Sequence, residues 1–147
     1  MTLEQKLQKH NISIDELAQT AVSTYIFDPA IGTAAQVQCL VKAEFQKLFK
    51  DINVCALFEA GLWLEEAGSK GEIAEISAEK YQSDPVDLLA DEILGQSLAL
   101  YIAGTRAFFE FERLDKQKPG ILAKLPPFLD DLAAGLIAGA MVRVCTK

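Results

Sequence analysis

Histidine and clustered basic residues are scarce in this sequence. His10 is the only histidine among 147 residues, which excludes zinc sites that need two or three histidines. Its place near the end of a predicted helix favours a helix C-terminal residue over the histidine of a catalytic triad. The 14 lysines and arginines are outnumbered by 21 aspartates and glutamates, giving a formal net charge of -7. Nucleic-acid surfaces need grouped lysines and arginines to neutralise phosphates, and no such group occurs in the chain. We therefore expect no nucleic-acid partner.

Cysteines and long apolar runs are also few. Cys39, Cys55 and Cys145 are odd in number and lack C-x-x-C spacing, so we predict buried, reduced thiols of a cytosolic protein. Uncharged stretches such as 93–105 and 132–142 are shorter than the roughly 18 to 20 apolar residues that span a bilayer. The first ten residues lack the apolar core of a secretory signal. These features predict a cytoplasmic protein whose membrane contact is at most peripheral, at the inner face.

Helical periodicity is what the sequence has in abundance. Half of the residues are hydrophobic, which is enough to build one substantial core. Three residue pairs have the spacing of a capping box, in which side chains satisfy the free amides of a first helical turn. These pairs are Thr2 and Gln5, Ser13 and Glu16, and Thr33 and Gln36. No segment alternates in the manner of a strand. We predict an all-α protein, with residues 1–147 forming one compact domain of about six to eight helices.

Proline and asparagine mark further helix starts. Asn53 is placed to cap a fourth helix, and Asp84-Pro85 is predicted to open a long helix that runs to about Gly104. Pro126-Pro127 precede the last helix. The high apolar content of so short a chain also predicts a homo-oligomer.

Acidic residues stand beside apolar runs at three places in the last sixty residues of the chain. They are Asp91-Glu92, Asp115 and Asp130-Asp131. An ionised carboxylate in an apolar setting is costly unless a cation, hydrogen bonds or solvent compensate it. A hard cation such as Mg²⁺, which takes oxygen ligands, would account for all three.

Each acidic segment taken alone has an ordinary structural explanation. Asp91-Glu92 is compatible with a solvated helix face, and Asp130-Asp131 with acids in the first turn of a helix. Asp115 and Lys118 have the spacing of a surface ion pair. It is the order of the three segments that favours a functional site.

The three segments resemble the motifs of the phosphatidylglycerophosphatase A family. Residues 91–95 read D-E-I-L-G, residues 115–119 read D-K-Q-K-P, and residues 130–135 read D-D-L-A-A-G. The family pattern is D-E-x-x-G, D-x-x-K-P and D-D-x-x-A/G-G in the same order. The resemblance covers residues 84–144 and is to the short, soluble branch of the family.

This resemblance implies a metal-dependent phosphoric monoester hydrolase acting in phospholipid biosynthesis. The expected reaction is hydrolysis of phosphatidylglycerophosphate to phosphatidylglycerol and phosphate, with Mg²⁺ as cofactor and Mn²⁺ as its substitute. We expect Asp91, Asp130 and Asp131 to bind the metal and Glu92 to orient the attacking water. Lys118 would bind the substrate phosphate, and Asp115 would either ligate metal or position Lys118.

Three alternatives stay open at this point. In the first, the substrate is a soluble phosphate ester instead of a lipid. In the second, the protein is a non-catalytic helical oligomerisation module. The third is an all-α nucleoside triphosphate pyrophosphatase, for which Glu72 and Glu75 match one part of an E-x-x-E pair.

Overall fold

Seven α-helices and one short 3-10 helix make up the computed structural model, which describes residues 1–146. The α-helices are α1 (Leu3–Lys9), α2 (Ile14–Ser23), α3 (Ala34–Leu48), α4 (Ile52–Ser69), α5 (Ala78–Gln82), α6 (Ala90–Gln117) and α7 (Pro127–Cys145), and the 3-10 helix spans Gly120–Lys124. No strand occurs within residues 1–146, so the all-α prediction is confirmed. None of the helices in this range has the length and apolarity needed to cross a bilayer.

The predicted capping boxes are all present. They start α1, α2 and α3, each with the reciprocal side-chain and backbone hydrogen bonds. The predicted cap of the fourth helix was wrong by two residues. Asp51, not Asn53, caps α4, since its Oδ1 accepts the amide of Asn53 at 2.8 Å and that of Val54 at 3.2 Å.

Helix α7 is the central helix of the fold. Its residues from Phe128 to Ala140 are all buried, as expected of a helix without a polar face. It contacts α2, α3, α4 and α6, and its contact with α6 is the most extensive. Buried apolar residues of α1, α2, α3, α4, α6 and the 3-10 helix join it in one core.

Helix α6 is a hairpin of two antiparallel arms. The backbone leaves the helical region at Ala103 and Gly104, where Gly104 has φ +75°. Gln96 Nε2 then donates to Glu112 Oε1 at 2.9 Å, a contact that a straight helix would forbid because it rises 1.5 Å per residue. The first arm (90–102) and the second arm (105–117) therefore lie side by side.

The predicted start of this helix was wrong. Asp84 has φ +49° and residues 84–89 are not helical, so that α6 begins only at Ala90. Residues 85–88 form a turn instead of the predicted first helical turn, with the Leu88 amide donating to Pro85 O at 3.0 Å. Asp91 and Glu92 consequently lie in the first turn of α6.

The prediction of buried cysteines was wrong for Cys39, which is exposed, while Cys55 and Cys145 are half-buried. Val37 and Val41 of α3 face the core. A residue midway between positions i and i+4 points to the opposite side of a helix, which directs the Cys39 thiol to solvent.

Candidate metal centre

Three carboxyl groups from two helices meet near the start of α7. One oxygen each from Asp115, Asp130 and Asp131 lies within 4.8 Å of the others. Asp130 and Asp131 are 4% and 2% exposed, and the side chain of Asp115 is 21% exposed. Asp115 comes from the second arm of α6, so the hairpin brings a residue near its end to the first turn of α7.

Asp91 contacts this group from the first arm of α6. It is 4% exposed, and its Oδ1 accepts the amide of Glu92 at 2.9 Å. The carboxyl of Asp131 is within hydrogen-bonding reach of both Asp91 and Asp115. Asp131 thus lies between the two arms, although Asp91 is not one of the three residues whose oxygens all lie within 4.8 Å of one another.

Lys118 supplies the positive charge at this site. It ends α6 in the left-handed conformation, with φ +46° and its amide donating to Leu114 O at 2.8 Å. Its ammonium donates to Asp130 Oδ2 and, at 3.2 Å, to Asp115 Oδ1. An ammonium has three donors, and the Lys118 side chain is 37% exposed, so a donor is left for an incoming anion.

Burial dominates the protonation of the two aspartates of α7. It raises the pKa of Asp130 to about 6 even though Lys118 opposes the shift. Burial, followed by the contacts with Asp115 and Asp91, raises the pKa of Asp131 further. For Lys118 burial lowers the pKa, but the hydrogen bond to Asp130 and the nearby carboxylates outweigh it and the net shift is upward. Within residues 1–146, Lys118 is thus the one cation that contacts Asp115 and Asp130, and its single charge cannot neutralise all the acids of the cluster when they are ionised.

Glu92 lies at the edge of the cluster. It is half-buried, and its pKa is raised first by burial and then by the charges of Asp115 and Asp91. A base with partial access to solvent and a raised pKa is suited to accept a proton from water.

The residues fit a hard divalent cation. Asp130 Oδ1 and Asp131 Oδ1 are fully buried and accept no hydrogen bond, which is rare for buried polar atoms. The atoms that Asp115, Asp130 and Asp131 offer as metal ligands are all carboxylate oxygens, the type that Mg²⁺ prefers. Two buried acceptors without a donor, next to a third carboxylate, are what a cation would satisfy.

Glu65 of α4 was not identified from the sequence, yet it adjoins the cluster. It is 7% exposed, and its Oε1 accepts the amide of Leu129 at 2.9 Å. The signal was present, because Phe58, Leu62 and Glu65 recur at helical spacing on the buried side of α4. An acid on an apolar stripe predicts a buried, partnered carboxylate.

Glu72 and Glu75 do not form the helical acidic face that a triphosphate pyrophosphatase would need. Both are exposed, and both lie in the connection between α4 and α5, outside any helix. Glu75 has φ +67°.

Comparison with known proteins gives the relatives of this chain. It is 37% identical over 102 residues to an uncharacterized protein, MJ1330, of Methanocaldococcus jannaschii, a match that spans 67% of this chain and 77% of that one. The low temperature requirement C protein of Listeria monocytogenes has the same fold, with a TM-score of 0.80 and 24% identity over 97% of this chain and 91% of that one. A protein of unknown function from Bacillus stearothermophilus superposes with a TM-score of 0.78 at 21% identity, covering 97% and 94% of the two chains.

The three acidic segments lie inside the part of the chain that a family model recognises. The model for phosphatidylglycerophosphatase A matches residues 17–146, which include every acid of the cluster and Lys118. The chain therefore belongs to the phosphatidylglycerophosphatase A family.

Proposed function

We propose that this protein is a Mg²⁺-dependent phosphomonoesterase that hydrolyses phosphatidylglycerophosphate to phosphatidylglycerol and phosphate. The observation that carries the proposal is the approach of Asp115, Asp130 and Asp131 oxygens to within 4.8 Å, two of them on buried carboxylates that have an unpaired oxygen. Membership of the family supports the choice of reaction.

The acids of the two α-helices would hold the cation. Asp115, Asp130 and Asp131 would be its ligands, with Asp91 either joining them or holding Asp131 in place. Bound Mg²⁺ would offset the charge of the substrate phosphate and make a bound water more acidic. Mn²⁺ accepts the same oxygen ligands and should substitute.

The chain's own groups supply the remaining chemistry. Lys118, fixed by Asp115 and Asp130, would donate to a phosphoryl oxygen and follow the charge that develops there. Glu92 would orient the attacking water and accept its proton. Asp115 would have two roles, since it contacts both Lys118 and the other acids.

The surface beside the cluster supports a lipid substrate. Val86, Leu89 and Ile93 are 96%, 54% and 58% exposed, and in sequence they flank Asp91 and Glu92. Exposed apolar residues around a polar site are suited to contact with a bilayer. The protein would thus meet its substrate at the membrane surface, through peripheral contact.

Phosphate release from a panel of substrates tests the proposal. The panel should hold phosphatidylglycerophosphate in vesicles and water-soluble phosphomonoesters, each with Mg²⁺ or with a chelator. Asp131→Asn should abolish metal-dependent release while the protein stays folded. Asp15→Asn, an exposed acid on α2, is the matched control and should be fully active.

The outcomes separate the remaining alternatives. Release from soluble esters but not from the lipid would replace the lipid by a soluble substrate. No release from any substrate, with no Mg²⁺ binding, would leave a non-catalytic helical module and overturn the proposal.

A further inference from the structure

We infer that Glu65 is a positioning residue for the metal centre, acting through the first turn of α7. The inference rests on the proposed function, because it concerns how Asp130 and Asp131 are held for the cation. Glu65 itself touches neither of their carboxyl groups. Its contact is with the backbone immediately before them.

Helix α7 starts without a cap of its own. Pro126 occupies the cap position and makes no side-chain hydrogen bond, and Pro127 is the first helical residue. The first-turn amides of a helix have no partner within the helix, and here those of Phe128 and Leu129 need an acceptor from elsewhere. Glu65 supplies it, with its Oε1 at 2.9 Å from the Leu129 nitrogen and the Phe128 amide also in reach.

The carboxylate that performs this capping is itself fixed. Its second oxygen accepts the hydroxyl of Tyr81 on α5, and Tyr81 is 2% exposed. The Tyr81 ring stacks on Phe128 with centroids 6.1 Å apart. Gly68 makes room for that ring, because a Cβ atom there would lie 2.6 Å from Tyr81 Cε2. Glu65 therefore has one defined position between α4, α5 and α7.

This arrangement determines where the two aspartates point. Leu129 directly precedes Asp130, so the hydrogen bond from its amide fixes the rotation of the turn that carries Asp130 and Asp131. Groups that orient metal ligands commonly change metal affinity by about ten- to a hundred-fold when they are removed. A carboxylate rather than an apolar side chain at position 65 is explained by this demand for an acceptor.

The affinity for Mn²⁺, measured by electron paramagnetic resonance, tests the inference without relying on turnover. Glu65→Leu keeps the volume but removes the acceptor, and it should weaken Mn²⁺ binding about tenfold or more. Glu65→Gln can still offer its amide oxygen to Leu129, and we expect it to bind Mn²⁺ within about threefold of the unchanged protein. Glu66→Gln, at the exposed neighbour that pairs with Lys70, is the matched control and should have no effect.

Amide hydrogen exchange and kinetics give two further readouts. In Glu65→Leu the amide hydrogen of Leu129 should exchange faster than in the unmodified protein. The increase should be larger than the one expected from any fall in the global free energy of unfolding. The loss of turnover should appear in kcat, with little change in KM. Rescue of all three quantities by glutamine distinguishes positioning from a general loss of stability.

Several results would overturn the inference. Unchanged Mn²⁺ affinity in Glu65→Leu would do so, as would a Glu65→Gln protein that binds as weakly as Glu65→Leu, since charge rather than hydrogen bonding would then matter. If Glu65→Leu does not fold, Tyr81→Phe replaces it, and wild-type Mn²⁺ affinity in that variant counts against positioning. Absence of Mn²⁺ binding by the unmodified protein would instead reject the proposed function, and with it the inference.

Discussion

Gly95 of α6 and Gly135 of α7 meet backbone to backbone where these two helices cross. A Cβ atom on Gly135 would lie 3.2 Å from the carbonyl carbon of Gly95, and one on Gly95 would lie 2.8 Å from the carbonyl carbon of Asp131. Asp91 precedes Gly95 by four residues, as Asp131 precedes Gly135. Residues four apart share a helix face, so the glycine contact brings the two aspartates together one turn away.

Alanine at position 95 or 135 should therefore separate the aspartates. The added methyl group is forced against backbone, and overpacking of this kind costs about 1 to 3 kcal/mol, more than the gain in helix propensity returns. We expect Gly95→Ala to lower the free energy of unfolding by about 2 kcal/mol and to weaken Mg²⁺ binding about tenfold. Chemical denaturation and calorimetric titration measure the two effects.

Gly139→Ala separates stability from metal binding. A Cβ atom at Gly139 would meet the side chain of Ile102 at 2.6 Å, one turn further from the aspartates. This variant should lose stability but retain the Mg²⁺ affinity of the unmodified protein. Equal loss of affinity in Gly139→Ala and Gly95→Ala would show that the glycine crossing has no special effect on the site.

Lys118→Met should impair catalysis without impairing metal binding. Removing one preorganised donor to a developing charge commonly costs about 100-fold in kcat, and we expect that loss here. Mg²⁺ affinity should stay the same or rise, because the ammonium that neutralises Asp130 and Asp115 is gone. Lys116→Met, at an exposed neighbour on the same helix, is the control. A fall in Mg²⁺ affinity in Lys118→Met would argue that the lysine organises the acids instead of binding phosphate.

The metal-free protein should become less stable as the pH rises. The pKa of Asp130 is raised to about 6, and those of Asp91 and Asp131 are raised as well, all chiefly by burial. Between the unfolded and the folded pKa the native state binds more protons than the unfolded chain, so the free energy of unfolding falls with increasing pH. The contribution is complete below about pH 4, the unfolded pKa, and for Asp130 it is lost as the pH passes 6.

Mg²⁺ should reverse this trend, because it replaces the protons on the same oxygens. The increase in melting temperature on adding Mg²⁺ should be larger at about pH 8 than at about pH 5.5. Taking the difference with and without Mg²⁺ cancels the titration of distant groups. Asp131→Asn should show a smaller increment at both pH values. An equal increment in the unmodified protein at the two pH values would contradict cation binding by these acids.

The sequence predicted those features that depend on near neighbours. The capping boxes of α1, α2 and α3 are four-residue patterns, and all three formed. The break near Gly104 was also predicted, but the reversal of direction was not, because the side-by-side packing of the two arms depends on contacts such as that between Gln96 and Glu112. Local patterns do not specify such contacts.

The site was predictable as a set of segments and less so as a geometry. The order of the three acidic motifs singled out Asp115, Asp130 and Asp131, but sequence spacing left the role of Asp115 open. The structure places it beside both α7 aspartates and Lys118. The apolar stripe of α4 is enough to predict a buried carboxylate at Glu65, but not its partner, because the Leu129 amide lies 64 residues away in the chain and a backbone amide leaves no mark in a sequence.

The exposed apolar residues at the start of α6 should matter only when the substrate is in a bilayer. Partial burial of Val86, Leu89 and Ile93 in lipid would contribute about 1 kcal/mol each, or together roughly 100-fold in membrane affinity. Replacing all three by serine should therefore lower turnover of phosphatidylglycerophosphate in vesicles by at least about tenfold, with turnover of a short-chain, water-soluble analogue unchanged. Ile52→Ser is the control, since Ile52 is 79% exposed and starts α4 near Tyr101, at the other end of the first arm. Equal losses of turnover with both substrates would show that the three residues are needed for the site to fold. Unchanged turnover in vesicles would show that the protein reaches its lipid through a different surface.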